Sequence, residues 1–291
     1  MRSKNLPFSL AVVVLFVLCM TLGCHQARNE SIKHMNDGLT KIKSDKLMEG
    51  LQSLGQSAQA DPTNHRAFYY QGLVQVQKLG NPKKAEPLFR QALALQPTHH
   101  EYHYQLGVAL YDQRLWQDAL EPLKRSTELA SSHGESFLRL GMVYEELGRF
   151  DDAQESYRES VRQAPTMPET YNALASLYAR FEKFDHAAHV LRNGIENHPR
   201  FALNYQDLGL VYRSQGRFEE ALEQFKRARQ LEPGKLTFLF NLGMTQAAAG
   251  REKDALVTLQ TYLVNIGGGE DPLRQSTARK MVRRLKAGRR D

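Results

Sequence analysis

The side chains in this chain best suited to chemistry are its histidines and its two cysteines. His99, His100 and His103 form one histidine cluster, and His186 with His189 forms another. The pairs His100/His103 and His186/His189 have the i, i+3 spacing that sets two imidazoles on one helix face, a first requirement of a metal site. A closed site needs more ligands, and only Glu101 and Asp185 stand nearby in sequence, with no cysteine close to either pair. Both pairs are therefore read as solvated surface histidines, and no metal or cofactor is predicted. No nucleophile elbow, phosphate loop or dinucleotide fingerprint occurs. Gly267-Gly268-Gly269 lacks the lysine and flanking strand that phosphate binding requires. The residues predict neither an enzyme nor a small-molecule substrate. The only thiols, Cys19 and Cys24, lie together near the amino terminus.

The elements that carry these residues follow from a repeat. Gly72, Gly107, Gly141, Ala175, Gly209 and Gly243 recur every 34 residues, with one interval of 35. Each is followed by an alanine, at Ala85, Ala119, Ala153, Ala187, Ala221 and Ala255, and four residues later by a bulky side chain, at Phe89, Leu123, Tyr157, Leu191, Phe225 and Leu259. Pro97, Pro165, Pro199 and Pro233 close most units. A period of this length means a helical hairpin stacked on copies of itself, because one hairpin cannot bury its own apolar face. Small residues are expected to let the two helices of a hairpin approach, bulky ones to fill the gap to the next hairpin, and proline to end the second helix.

The stretches LGVALYDQRLWQDALEPL, LGMVYEELGRFDDAQESY and LGLVYRSQGRFEEALEQF resemble the tetratricopeptide repeat family. Six full units fall at 65–99, 100–133, 134–167, 168–201, 202–235 and 236–269. A degenerate unit at 31–64 keeps Gly50, Leu54, Ser57 and Pro62 in phase. The resemblance implies an all-α fold, a right-handed α-solenoid of stacked hairpins. Local departures are an extra residue near Leu79 to Pro82, where Asn81 reads as an N-cap and Pro82 as the first helical position. Gly80, Gly148, Gly216 and Gly250 suit the left-handed end of a first helix, and Arg114 and Glu182 stand where that glycine is missing. Pro87 and Pro122 lie early in second helices, where a bend or lost hydrogen bond is expected.

At the amino terminus, Arg2 and Lys4 precede an uncharged run from Asn5 to Cys24 with the apolar heart LAVVVLFVLCMTL, the pattern of an export signal. It ends in Thr21-Leu22-Gly23-Cys24, which resembles the lipobox of bacterial lipoproteins. That resemblance implies a signal peptide over 1–23, lipid on Cys24 and a short polar linker over 24–30. An uncleaved membrane helix or simple cleavage are the alternatives, and all three place the repeats outside the cytoplasm. His25 rather than aspartate after the cysteine points, by the lipoprotein resemblance, to the outer membrane of a two-membrane bacterium.

The formal charge is +7, and removal of Arg2 and Lys4 leaves +5. Residues 270–291 carry eight basic and three acidic residues, so that +5 belongs to the tail and the solenoid is neutral overall. Asp271-Pro272 is a helix-start signal, and Ala278, Met281, Val282 and Leu285 share one face. The tail is read as a capping helix with a wet basic face that could also meet acidic lipid, wall polymer or an acidic partner. Nucleic acid is not predicted, because no nucleic-acid motif accompanies the charge.

In the family resembled, first-helix positions line a concave groove. Carried over, one row is Tyr69, Tyr104, Leu138, Asn172, Gln206 and Phe240. A second is Leu73, Val108, Met142, Ser176, Leu210 and Met244, and a third is Val76, Tyr111, Glu145, Ala179, Arg213 and Ala247. Leu73, Val108 and Leu210 are equally readable as core, whereas Tyr69, Tyr104 and Tyr111 are expected in the groove because hydroxyls avoid dry cores. The second row holds no lysine or asparagine clamp for a terminal carboxylate. The expected function is a lipid-anchored envelope scaffold that holds a peptide or helix of partner proteins and assists an assembly of the secretin, pilus or secretion type. The alternative is an accessory protein whose basic C-terminal helix binds wall polymer or membrane, for example to position cell-wall enzymes.

Overall fold

The computed structural model describes the backbone of residues 8–266 and 271–287, with side chains from residue 25 onward in those spans. Among the described residues there are helices and no strands. They run α1 (Phe8–Lys43), α2 (Leu47–Ala60), α3 (His65–Gln77), α4 (Pro82–Leu95), α5 (His100–Asp112), α6 (Trp116–Leu129), α7 (Gly134–Glu146) and α8 (Phe150–Gln163). The series continues with α9 (Pro168–Arg180), α10 (Phe184–Asn197), α11 (Ala202–Ser214), α12 (Phe218–Leu231), α13 (Leu236–Ala248), α14 (Glu252–Asn265) and α15 (Pro272–Ala287). From α3 to α14, helices of 13 and 14 residues alternate, the first and second arms of successive hairpins. The all-α hairpin-repeat fold expected from the 34-residue period is the fold observed.

The chain divides into two compact units. Unit one comprises the residues up to Ser131 with Met142–Gly148, and unit two comprises Ser132–Gly141 with the residues from Arg149 on. Within unit one, α1 to α6 pack in chain order, and α3 also meets α5. Within unit two, α8 to α15 do the same, with α9 against α11 and α13 against α15. Neighbouring first arms thus lie side by side on one face of a stack, which is what positions a site there.

Five of the six full hairpins close on a glycine notch, and the sixth has Ala175 there. A Cβ added to Gly72 would come within 2.5 Å of Phe89 Cε1, one on Gly107 within 2.4 Å of Leu123 Cγ, and one on Gly209 within 2.8 Å of Phe225 Cε1. Gly141 faces Tyr157 and Gly243 faces Leu259 in the same way. The bulky landmark therefore sits over the glycine of its own hairpin, correcting the expectation that it fills the gap to the next one. The reason is volume: glycine removes the side chain that would keep a ring or leucine off the facing helix. Phe89, Leu123, Leu191, Phe225 and Leu259, like the six landmark alanines, are fully buried. Burial of each large member contributes about 1.5–3 kcal/mol.

Between arms the chain turns through the left-handed region. Gly80, Gly148, Gly216 and Gly250 take positive φ, and so do Arg114 (φ 62°) and Glu182 (φ 57°), as their places in the repeat foretell. For residues with a Cβ this conformation costs roughly 1–2 kcal/mol. Asn81 accepts a hydrogen bond from Lys84 N at 3.3 Å and Pro82 begins α4, as expected of an N-cap followed by proline. α4 and α6 run on through Pro87 and Pro122. The helix assignments therefore show no break at either proline.

At the amino end, residues 25–30 are helical within α1 rather than a separate linker, and HQARNE holds no glycine or proline to stop a helix. The side chains of 1–23 and of Cys24, and with them the lipidation reading, lie outside the described residues. So do the triglycine segment and the final basic residues Arg289 and Arg290. Further along α1, Gly38 approaches Gly50 and Leu54 of α2, and Ser31 Oγ donates to Ser57 O at 2.7 Å. Gly38 lies 34 residues before Gly72 and extends the series by one member. At the other end, Ala278, Val282 and Leu285 of α15 are buried against Leu239, Leu256, Leu259 and Tyr262, with Met281 partly buried beside them. The expected capping helix is present, and Arg279, Lys280, Arg283, Arg284 and Lys286 are exposed on it.

Candidate functional site

Of the eighteen residues carried over as groove positions, Val108 is buried, Ser176 is exposed and the others are half-buried, among them Tyr69, Tyr104, Tyr111, Leu138, Met142, Asn172, Gln206, Arg213, Phe240 and Met244. Their environments differ by unit.

In unit one, Tyr69 of α3 belongs to an aromatic cluster that joins two first arms. Its ring centroid lies 4.7 Å from that of Tyr102 and 6.2 Å from Phe89, and its hydroxyl donates to Glu101 Oε1 at 3.3 Å. Burial, then the Glu101 charge, pushes the Tyr69 pKa well above its ordinary value. Tyr102 is 2% exposed, bonds His65 Nδ1 through its hydroxyl at 2.6 Å and stacks on His99 at 3.9 Å. Burial raises the Tyr102 pKa to about 12, and burial lowers those of His65 and His99. The premise that hydroxyls avoid the core does not hold here. Tyrosine rings enter the interior while each hydroxyl finds a partner at its edge, as Tyr171 and Tyr205 also do with the carbonyls of Pro165 and Pro199, both at 3.1 Å. His99 thus packs an aromatic, and His103 donates to Pro97 O at 2.8 Å, while His186 and His189 are exposed.

In unit two, α9 and α11 frame a concavity of about 160 Å³ lined by Ala175, Ser176, Ala179, Leu191, Asp207, Leu210, Val211 and Ser214. Three of these, Ser176, Ala179 and Leu210, are carried-over groove positions. Two more such positions hold the Asp207 carboxylate: Asn172 Nδ2 donates to Asp207 Oδ2 at 2.5 Å, and Gln206 Nε2 donates to Asp207 Oδ1 at 3.2 Å. Asn172 Oδ1 is buried and has no hydrogen-bond partner. Burial raises the Asp207 pKa, and the two amide donors offset part of that rise. Burial alone lowers the pKa of Arg213, further along α11. Among the described residues no lysine, arginine or histidine acts on Asp207. The site therefore presents a carboxylate beside an apolar wall, an arrangement that binds donors.

Asp207 is the member that residue-by-residue reasoning missed. The signal was present: its register holds Tyr70, Gln105, Arg139, Ala173 and Asn241 in other hairpins, so only one unit puts a carboxylate there. In the last hairpin, the Phe240 ring lies tilted against Tyr262 with centroids 5.5 Å apart, and Phe240 and Met244 pack on the cluster that α15 covers.

The profile of the tetratricopeptide repeat family matches residues 76–134, 104–168 and 207–271, more than half of the chain. Among solved structures, the yeast Tom70 superposes with a TM-score of 0.59 at 15% identity, over 92% of this chain and 56% of that one. Pseudomonas aeruginosa pilF gives 0.61 at 20% identity over 77% of this chain and 99% of that one. YrrB, described as a tetratricopeptide repeat protein with an unusual peptide-binding site, gives 0.52 at 20% identity over 66% and 97%. This chain thus spans little more than half the length of Tom70. At these identities the likeness is one of fold. No curated protein matches the chain in sequence.

Proposed function

Because the chain belongs to the tetratricopeptide repeat family, we propose that it is a non-enzymatic adaptor that holds an extended peptide or helix of a partner protein against its first arms. The observation that carries this reading is the α9/α11 concavity, where the carried-over positions Ser176, Ala179 and Leu210 stand beside the Asp207 carboxylate, which no cation neutralises. A peptide backbone and side chain supply the donors and apolar surface that such a wall accepts. The peptide-binding site named for YrrB is consistent with it.

The proposed setting is the bacterial envelope, with lipid on Cys24 tethering the repeats outside the cytoplasm and the outer membrane as destination. Assistance to an assembly of the secretin, pilus or secretion type follows as the working role, and the fold shared with pilF is compatible with it. A tiled array of peptides from secreted and envelope proteins tests the groove. Peptides captured by the native protein should be lost by Leu210→Arg and kept by Val257→Arg, whose site is 64% exposed on the second arm α14. Capture that survives Leu210→Arg contradicts the groove.

The second reading rests on α15, whose exposed Arg279, Lys280, Arg283 and Arg284 form a basic face opposite buried Ala278, Val282 and Leu285. That face suits anionic lipid or wall polymer. Reversing these four charges to glutamate separates the readings better than deleting α15, which would uncover the core beneath it. Loss of sedimentation with anionic vesicles, with peptide capture intact, supports the second reading.

A further inference from the structure

We propose that the α9/α11 concavity is a subsite for a cationic side chain, lysine or arginine, of the bound segment, with Asp207 as its counter-charge. This rests on the groove reading above and names what one pocket of it selects.

The argument begins with acceptor capacity. An ionised carboxylate offers about four lone-pair sites. Asp207 has two of them met, one by Asn172 Nδ2 and one by Gln206 Nε2, both neutral amide donors. The lone-pair sites of Asp207 that remain unmet therefore point to a donor, and to a charged one because Asp207 has no cation acting on it.

Shape narrows the class. Ala175, Ala179, Leu191, Leu210 and Val211 line the remainder of the concavity, an apolar surface for methylenes. Lysine and arginine combine an apolar stem with a charged head in the order that wall and carboxylate require. Glutamate meets like charge, and norleucine leaves the carboxylate without a donor. Partial burial strengthens the pair relative to a surface ion pair, because the effective dielectric is lower. The raised Asp207 pKa has the same origin, a carboxylate held away from water without a cation.

Nine-residue peptide libraries, randomised except for a central lysine, arginine, norleucine or glutamate, provide the probe. The lysine and arginine libraries should bind the full chain at least tenfold more tightly than the other two, and Asp207→Asn should erase the difference. Asp207→Asn keeps size and shape, so its circular dichroism and melting should match the native protein. Equal binding of all four libraries, or a preference that persists in Asp207→Asn, overturns the inference. Equal binding that disappears in Leu210→Arg leaves the groove standing without the subsite. Binding by no library overturns both.

Discussion

A methyl group placed on Gly209 would lie 2.8, 2.9 and 3.0 Å from Cε1, Cζ and Cδ1 of Phe225, closer than real Cβ atoms approach a ring. Phe225 is fully buried and cannot swing into solvent. Gly209→Ala gains about 1 kcal/mol from helix propensity and loses about 1–3 kcal/mol through overpacking, so a net loss near 1 kcal/mol is expected. Gly55 isolates the first part, because it sits inside α2 with nothing within 4 Å of an added Cβ. Gly55→Ala should therefore stabilise by about 1 kcal/mol. The chain itself supplies the rescue. Ala175 stands at the same place in its hairpin, 1% exposed, opposite a fully buried Leu191. Phe225→Leu recreates that pair and should recover the cost of Gly209→Ala, giving a coupling of about 1–3 kcal/mol in a double-mutant cycle. Urea unfolding followed by far-ultraviolet circular dichroism reads all four values. If Gly209→Ala stabilised as much as Gly55→Ala, or if Phe225→Leu gave no rescue, the notch account of hairpin closure would fail.

Three further outcomes follow from the structure. Asn204 is fully buried with neither side-chain oxygen nor nitrogen bonded, whereas Thr170 in the same register donates to Met167 O at 2.8 Å. Asn204→Thr should raise stability by about 1–3 kcal/mol, seen as a higher urea midpoint. Glu182→Gly removes a side chain from φ 57° and should stabilise by about 1 kcal/mol, and an unchanged melt would mean the turn carries no strain. Cys24→Ser should move the protein from the detergent phase to the aqueous phase in phase partitioning, and unchanged partitioning would contradict lipidation.

The hairpins and their turns were legible because they rest on local, repeated rules. Gly72 and its counterparts mark a close helix approach, and the left-handed turn positions Arg114 and Glu182 follow from alignment with Gly148 and Gly216. Gly38 was in phase but hidden, because the unit around it lacks most other landmarks. The site was less legible. Asn172 and Gln206 lie on the groove row, but Asp207 matters through contacts with Asn172, 35 residues away on another helix. The tyrosines were harder still, since whether Tyr69 or Tyr102 faces a ligand or a neighbour depends on partners such as His65 and Glu101 rather than on residue type.

The central claim is that partner segments lie along the first arms. Photo-crosslinking in living cells tests it most directly, with a benzophenone-bearing residue at Ser176 or Leu210 in the concavity, or at Arg192 or Lys226, exposed on the second arms α10 and α12. The account predicts discrete adducts of one partner from Ser176 and Leu210 and none from Arg192 or Lys226. Adducts only from the second-arm positions, or equal adducts from all four, would contradict it.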